Sequence, residues 1–166
     1  MKKNENSPTG DLTQAPQPRP PNSRQRILVV EDDAETRRLN TEVLIYSGYH
    51  VDAAVSGAAA WEALQLNHYD LMVTGYKMPQ VTGVDLLKKL HDASMAVPVI
   101  MATGTLPTQE FAKCPWLRPA SLLLKPYTFN ELLGTVKSVL HATTAVRPET
   151  PPPPNWPSPP GTGLYL

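Results

Sequence analysis

A single cysteine, Cys114, stands in a chain of 166 residues. One thiol cannot form an internal disulfide or a cysteine-rich metal cluster, which excludes the stapled secreted scaffolds and the common zinc modules. It reads as a reduced side chain in a cytoplasmic protein. Neither sign of charge is in excess, because 15 Lys+Arg balance 15 Asp+Glu. That balance does not supply the basic face that nucleic acid needs, so no nucleic-acid partner is expected. Long apolar runs are also lacking. The chain begins Met1-Lys2-Lys3, yet Asn, Glu, Ser, Pro and Thr follow where a signal peptide would have its apolar region. No run approaches the ~20 apolar residues of a membrane span, so neither secretion nor membrane insertion is expected.

Proline is scarce in the middle and dense at the ends: of 19, five lie in residues 1–25, eight in residues 147–166 and six in the 121 residues between. Polar, proline-rich segments without apolar periodicity cannot offset the entropy of ordering them. Three parts follow: a disordered N-terminal tail over residues 1–25, one domain over residues 26–142, and a disordered Pro-rich tail over residues 143–166. Within the last, the four prolines 151–154 and Asn155-Trp156-Pro157-Ser158-Pro159-Pro160 form a polyproline II candidate. It is either a ligand for a partner's aromatic groove or a stiff spacer.

Five short apolar segments punctuate the domain at residues 27–30, 50–55, 71–73, 97–102 and 122–124. Helical signals fill the intervals. Residues 34–47 carry Leu39 and Val43 four apart and stop before Gly48, a candidate C-terminal cap. Ser56 can cap a helix through residue 67 that buries Trp61 and Leu64 or Leu66. Gly83 precedes a helix over residues 84–91, with Leu86, Leu87 and Leu90 inward and Lys88 and Lys89 outward. Thr128-Phe129-Asn130-Glu131 is a capping box for a helix to about residue 141, with Leu132, Leu133, Val136 and Leu140 inward. Pro107, Pro115 and Pro119 confine any helix between them to residues 108–113. Continuously apolar strands alternating with amphipathic helices predict a five-stranded parallel α/β sandwich. Chemistry in such sheets gathers beyond the carboxyl ends of the strands.

Glu31, Asp32 and Asp33 follow the first strand. Clustered carboxylates there need a counter-ion, and hard oxygen ligands suit Mg²⁺. Asp33 equally fits the start of the next helix, where a carboxylate favours the dipole. Thr103 and Gly104 follow the fourth strand, and Lys125 and Pro126 the fifth. Carboxylates, a hydroxyl and an ammonium on one rim predict a phosphate or oxyanion site with a metal. His50, His68, His91 and His141 fall in separate elements without ligand spacing and read as structural.

Residues 27–32, Tyr69-Asp70-Leu71, Met78-Pro79 with Gly83 four residues later, Pro98-Val99-Ile100 leading to Thr103, and Lys125-Pro126-Tyr127 occur in this order. On these motifs the sequence resembles, over about residues 26–142, the receiver domain of bacterial two-component response regulators. The resemblance implies a flavodoxin-like three-layer sandwich with strand order 2-1-3-4-5. It implies that Asp32 binds Mg²⁺ directly, Glu31 through water, and the Lys77 backbone carbonyl as a third ligand. Thr103, beside Gly104, would hydrogen-bond a phosphoryl group, and Lys125 would pair with it. The implied partners are a sensor histidine kinase, a phosphotransfer protein or a downstream target, and the implied role is signalling in a phosphorelay and not enzymatic turnover.

Two positions depart from the family pattern. The acceptor aspartate lies three residues before the Met-Pro pair, and here that residue is Gly75. Glycine carries no nucleophile. Thr74 points to the other face of the strand, and Asp70 lies about 16 Å away at ~3.3 Å per residue. Mg²⁺ binding is accordingly expected to be weak or absent, with Lys125 leaning toward Glu31 and Asp32. At the switch position, where the family has Tyr or Phe, stands Leu122. Three readings follow. One is a stand-alone receiver without output domain, unable to hold an aspartyl phosphate and working through protein–protein contacts. Another is a conventional phospho-switch represented by a variant in which Gly75 has replaced the aspartate. The third is a small phosphatase-like enzyme using Glu31 and Asp33, for which Glu31 has the wrong length.

Overall fold

The computed structural model describes residues 24–145, so the expectations for the two tails lie outside the described residues. In chain order the elements are β1 (Arg26–Val30), α1 (Ala34–Tyr46), β2 (His50–Ala54), α2 (Gly57–Leu66), β3 (Leu71–Gly75), α3 (Gly83–Asp92), β4 (Val99–Thr103), α4 (Thr108–Lys113), β5 (Ser121–Leu124) and α5 (Phe129–Ala145). The strands form one sheet in the order β2-β1-β3-β4-β5, every pair parallel. This is the flavodoxin-like order that the resemblance implies. None of these helices is long and apolar enough to cross a membrane.

The apolar runs of β1, β3 and β4 are buried on both faces because successive side chains feed two separate layers. Leu28, Val30, Met72 and Met101 pack with Ala60 and Leu64 of α2 and Leu86 and Leu90 of α3. Ile27, Val29, Val73 and Ile100 pack with Leu44 of α1 and Leu132, Val136 and Leu140 of α5. Each fully buried aliphatic side chain contributes about 1.5–3 kcal/mol, so substituting a charge into this alternation would open one layer or the other.

Local signals set the helix ends. Ser56 caps α2 by accepting from the Ala59 N–H, and Thr128 and Glu131 exchange the two bonds of a capping box. Gly48, at φ +95°, ends α1 in a Schellman turn, with Tyr49 N–H donating to Leu44 O and Gly48 N–H to Ile45 O. Some inward faces differ from expectation. The buried residues of α1 are Asn40 and Leu44, with Leu39 and Val43 half-buried. Asn40 tolerates burial because its Nδ2 donates to Tyr127 Oη at 2.8 Å. In α2 it is Leu64 that is buried, while Leu66 is 82% exposed. α5 continues past residue 141 and adds Val139 to its buried row, whereas Leu133 is half-buried.

Candidate functional site

Four strands deliver their carboxyl ends to one rim. Glu31 follows β1 into a buried position, and a buried carboxylate needs a cation or hydrogen bonds to remain charged. Lys125, following β5, provides the cation: its Nζ lies 2.9 Å from Glu31 Oε2. Arg37 Nη1 donates to the carbonyls of Glu31 at 2.7 Å and Asp32 at 3.2 Å, fixing the acidic turn from the first turns of α1. The Asp32 side chain is exposed. Asp33 is the N-cap of α1, its Oδ1 accepting from the Thr36 N–H at 2.8 Å, and the hydrogen bonds from Thr36 hold its carboxyl below the usual value. Of the two readings open for Asp33, capping is the one observed.

Gly75 is the last residue of β3, in register with Ala102. A Cβ at this position would lie 3.4 Å from Met78 Cγ and 3.5 Å from Glu31 Oε2, ordinary contact distances beside a carboxylate. Thr74 is fully buried and donates its hydroxyl to the Gly75 carbonyl at 3.1 Å. Asp70, at the far end of β3, accepts from the Arg26 N–H at 2.7 Å. Gly83 is crowded where Gly75 is not, since a Cβ there would meet the Gly75 carbonyl oxygen at 2.4 Å. The glycine four residues beyond Pro79 is therefore a close-approach residue for the backbone of the rim.

Lys77, Thr103, Gly104 and Lys125, together with Tyr76 and Thr105, line a cleft of about 270 Å³. The structure thus brings together four of the residues expected at the site, with Glu31 joined through Lys125 and Gly75 bordering Glu31. Thr103 is buried and its hydroxyl turns into its own loop, donating to Thr105 O and accepting from the Thr105 N–H. Leu122 does not line the cleft. It is half-buried in β5, in register with Met101, and packs against the layer formed with α2 and α3.

The donor set does not fit Mg²⁺. A hard divalent ion seeks about six oxygens, but Glu31 is committed to Lys125, position 75 supplies none, and Asp32 and one backbone carbonyl remain. Among the described residues no group of three or more His, Cys, Asp or Glu side chains could hold a metal ion. The four histidines are exposed and in separate elements; His91 packs on Trp116, ring centroids 4.2 Å apart.

Two residues of this region left no trace in periodicity. Tyr76 Oη donates to Glu110 Oε1 at 2.7 Å, tying the turn after β3 to α4 across 34 residues of sequence. That bond raises the phenol's pKa and lowers the carboxyl's. Arg37, which holds the acidic turn, lay unmarked among the polar residues of α1.

A family model described as the response regulator receiver domain matches residues 27–137. The chain is 30% identical over 121 residues to the transcriptional regulatory protein CusR of Escherichia coli strain K12, covering 73% of this chain and 53% of that protein. It thus spans about half the length of that relative. It is 30% identical over 118 residues to the response regulator receiver protein CpdR of Brucella abortus, covering 71% of this chain and 98% of that one. In fold it is similar to a CheY-like response regulator receiver domain protein from Methanospirillum hungatei, with a TM-score of 0.69 at 24% identity over 74% of this chain and 98% of the other.

Proposed function

The chain belongs to the response regulator receiver family of two-component signalling, and from that membership we propose that this receiver works without an aspartyl phosphate, through protein–protein contacts of a fixed surface. In this reading Gly75 occupies the acceptor position. The observation that carries the proposal is the pairing of Lys125 with Glu31 at 2.9 Å beside a residue without a side chain. The cation that would neutralise a phosphoryl group instead neutralises a carboxylate of its own rim, and the Thr103 hydroxyl is bonded within its loop. Mg²⁺ is bound weakly or not at all, since a metal has to compete with Lys125 for Glu31. A histidine kinase, a phosphotransfer protein or a downstream target is the partner, and the domain is a signalling module in the cytoplasm and not an enzyme.

A second reading, a conventional switch disabled by one substitution, is favoured by the room at position 75 and by the presence of Thr103 and Lys125 around the cleft. One experiment separates the two. The protein and its Gly75→Asp variant are incubated with Mg²⁺ and a small-molecule phosphodonor and followed by intact mass. No adduct is expected on the parent, since covalent transfer needs a nucleophile; a stoichiometric, hydroxylamine-sensitive adduct on the parent would overturn both readings. An adduct on the folded variant supports the disabled switch, and its absence supports the phosphorylation-independent module.

A further inference from the structure

Asn40 is a polar residue on the inward face of α1, and only 4% of its surface is exposed. A side-chain amide brings two N–H donors and a carbonyl acceptor, and folded chains leave few of these unused when they are buried. Here Nδ2 donates to Tyr127 Oη at 2.8 Å, and among the described residues this is the only hydrogen bond that either side chain makes. Asn40 Oδ1 therefore keeps its acceptor capacity, and the Tyr127 hydroxyl, already accepting, keeps a hydrogen to donate. Among the described residues no fully enclosed side-chain polar atom lacks a partner, so Asn40 Oδ1 is reached from outside the core. The space from which it is reached is a cavity of about 590 Å³ between α1 and the segment that joins β5 to α5. Thr36, Leu39 and Asn40, three and four residues apart on one face of α1, form one wall, and Tyr127 and Phe129 belong to the other. Leu39 is half-buried and Phe129 is 47% exposed. Apolar walls with a few convergent polar groups, in a volume of about 300–1,000 Å³, are the usual form of a small-molecule site.

We propose that this cavity binds a neutral, planar small molecule with an amide edge, an aromatic carboxamide or lactam. Its N–H donates to Asn40 Oδ1, its carbonyl accepts from the Tyr127 hydroxyl, and its ring lies against Leu39 and Phe129. Water displaced from the two polar groups takes with it hydrogen bonds that the amide edge makes again, so the polar part of the exchange costs little. A carboxylate of the same shape has no hydrogen for Asn40 and sets a charged oxygen against a lone pair. Lys125 also lines the cavity, but Glu31 already balances its charge at 2.9 Å. Neutral ligands are therefore selected over anions. Because Lys125 borders both this cavity and the cleft of the rim, an occupant here touches the residue that neutralises Glu31. The proposal is independent of what position 75 can or cannot hold.

The test titrates benzamide and, separately, benzoate into the full chain at neutral pH, with the protein amides observed by NMR. Benzamide is expected to give saturable shifts at Leu39, Asn40, Tyr127 and Phe129 at about millimolar concentration, the affinity within reach of a ligand this small. Benzoate should bind about fivefold more weakly, since it lacks the donor. Tyr127→Phe keeps the ring and removes the hydroxyl, and should weaken benzamide about fivefold. Phe129→Ala, at an exposed position, should weaken it several-fold and serves if Tyr127→Phe folds poorly. Shifts that do not saturate, or that fall on another face, overturn the proposal. Benzoate binding as tightly as benzamide overturns the amide edge, and benzamide binding that both variants leave unchanged overturns the site.

Discussion

The two ends of the sheet treat charge differently. At the amino ends, Arg26 donates through Nε to Asp52 Oδ2 at 2.8 Å and through Nη1 to Asn67 at 3.1 Å, while its guanidinium lies 5.1 Å from the centroid of the Tyr69 ring. Tyr69 Oη donates to the same Asp52 oxygen at 2.7 Å, and the Arg26 N–H donates to Asp70. Each group serves several others, so the network closes on itself and joins β1, β2 and the start of β3. At the carboxyl ends a single ion pair joins Glu31 and Lys125, the Asp32 side chain is exposed, and two ammoniums line a cleft. Charges in the amino-end network are multiply partnered, whereas the carboxyl rim sets one cation against one carboxylate beside a position with no side chain.

The largest effect should expose how sharply the carboxyl rim is divided between crowded and open backbone. Gly83→Ala drives a methyl into the Gly75 carbonyl oxygen, 2.4 Å from the ideal Cβ, and backbone cannot rotate away. A loss of about 3 kcal/mol is expected, at the upper end of overpacking costs. Gly75→Ala meets nothing closer than 3.4 Å and should stay within about 1 kcal/mol of the parent, since it also restricts the unfolded chain. Urea denaturation measures both. Equal losses would mean that position 75 has no room for a side chain, and the open half of the rim would disappear from the comparison.

A smaller effect contrasts the two ion pairs directly. Arg26→Met leaves Asp52, about one-third exposed, without its cation and Asn67 without a donor, and should cost about 2 kcal/mol. The paired replacement Glu31→Gln with Lys125→Met removes both charges of the other rim together and should be neutral within about 1 kcal/mol, because the half-exposed Lys125 gains little from the pair and removing both partners leaves no uncompensated charge on the buried Glu31 side. Thermal denaturation at neutral pH decides. If the double variant lost as much as Arg26→Met, the Glu31–Lys125 pair would be a structural brace, and its reading as diverted phosphate chemistry would lose its ground.

Most of the fold was legible because its causes are local. The apolar runs of β1, β3 and β4 admit only burial on both faces, and Ser56, Gly48 and Thr128-Phe129-Asn130-Glu131 mark helix ends by chemistry visible within four residues. The prolines around α4 predicted its extent, Thr108–Lys113, for the same reason. The site was legible as a set of strand ends: Thr103 closes β4, while Glu31, Gly104 and Lys125 each follow a strand, and parallel topology alone brings them to one rim. What remained hidden depends on partners distant in sequence. Asn40 is buried because Tyr127 lies 87 residues away in sequence, and Tyr76 reaches Glu110 by a contact that neither helix nor strand periodicity encodes. The Arg26–Asp52–Tyr69 network escaped notice likewise, since Arg26 starts β1, Asp52 lies in the middle of β2 and Tyr69 sits in the loop before β3, and no local pattern links them.

The smallest effect tests that network by pH. Burial, then the hydrogen bond and charge of Asp52, push the Tyr69 phenol up from 10.0 to about 12. A group whose folded pKa is raised stabilises fully below its unfolded value, so Tyr69 contributes its whole share below pH ~10 and loses it as pH rises toward 12. For Asp52, burial pushes the carboxyl up, but the bonds from Tyr69 and Arg26 and the Arg26 charge outweigh burial and leave it below its usual value. Its share is therefore present above that usual value and is lost as pH falls through the lowered one. Tyr69→Phe should cost about 1 kcal/mol at neutral pH, flatten the alkaline decline, and raise the Asp52 pKa by removing a donor to the carboxylate. Denaturation followed from pH 7 to 12, with the carboxyl titration of Asp52 read by NMR, checks each part. An alkaline decline that is undiminished in Tyr69→Phe would show that another group governs it, and the amino rim would then lose its claim to be the closed, multiply partnered end of the sheet.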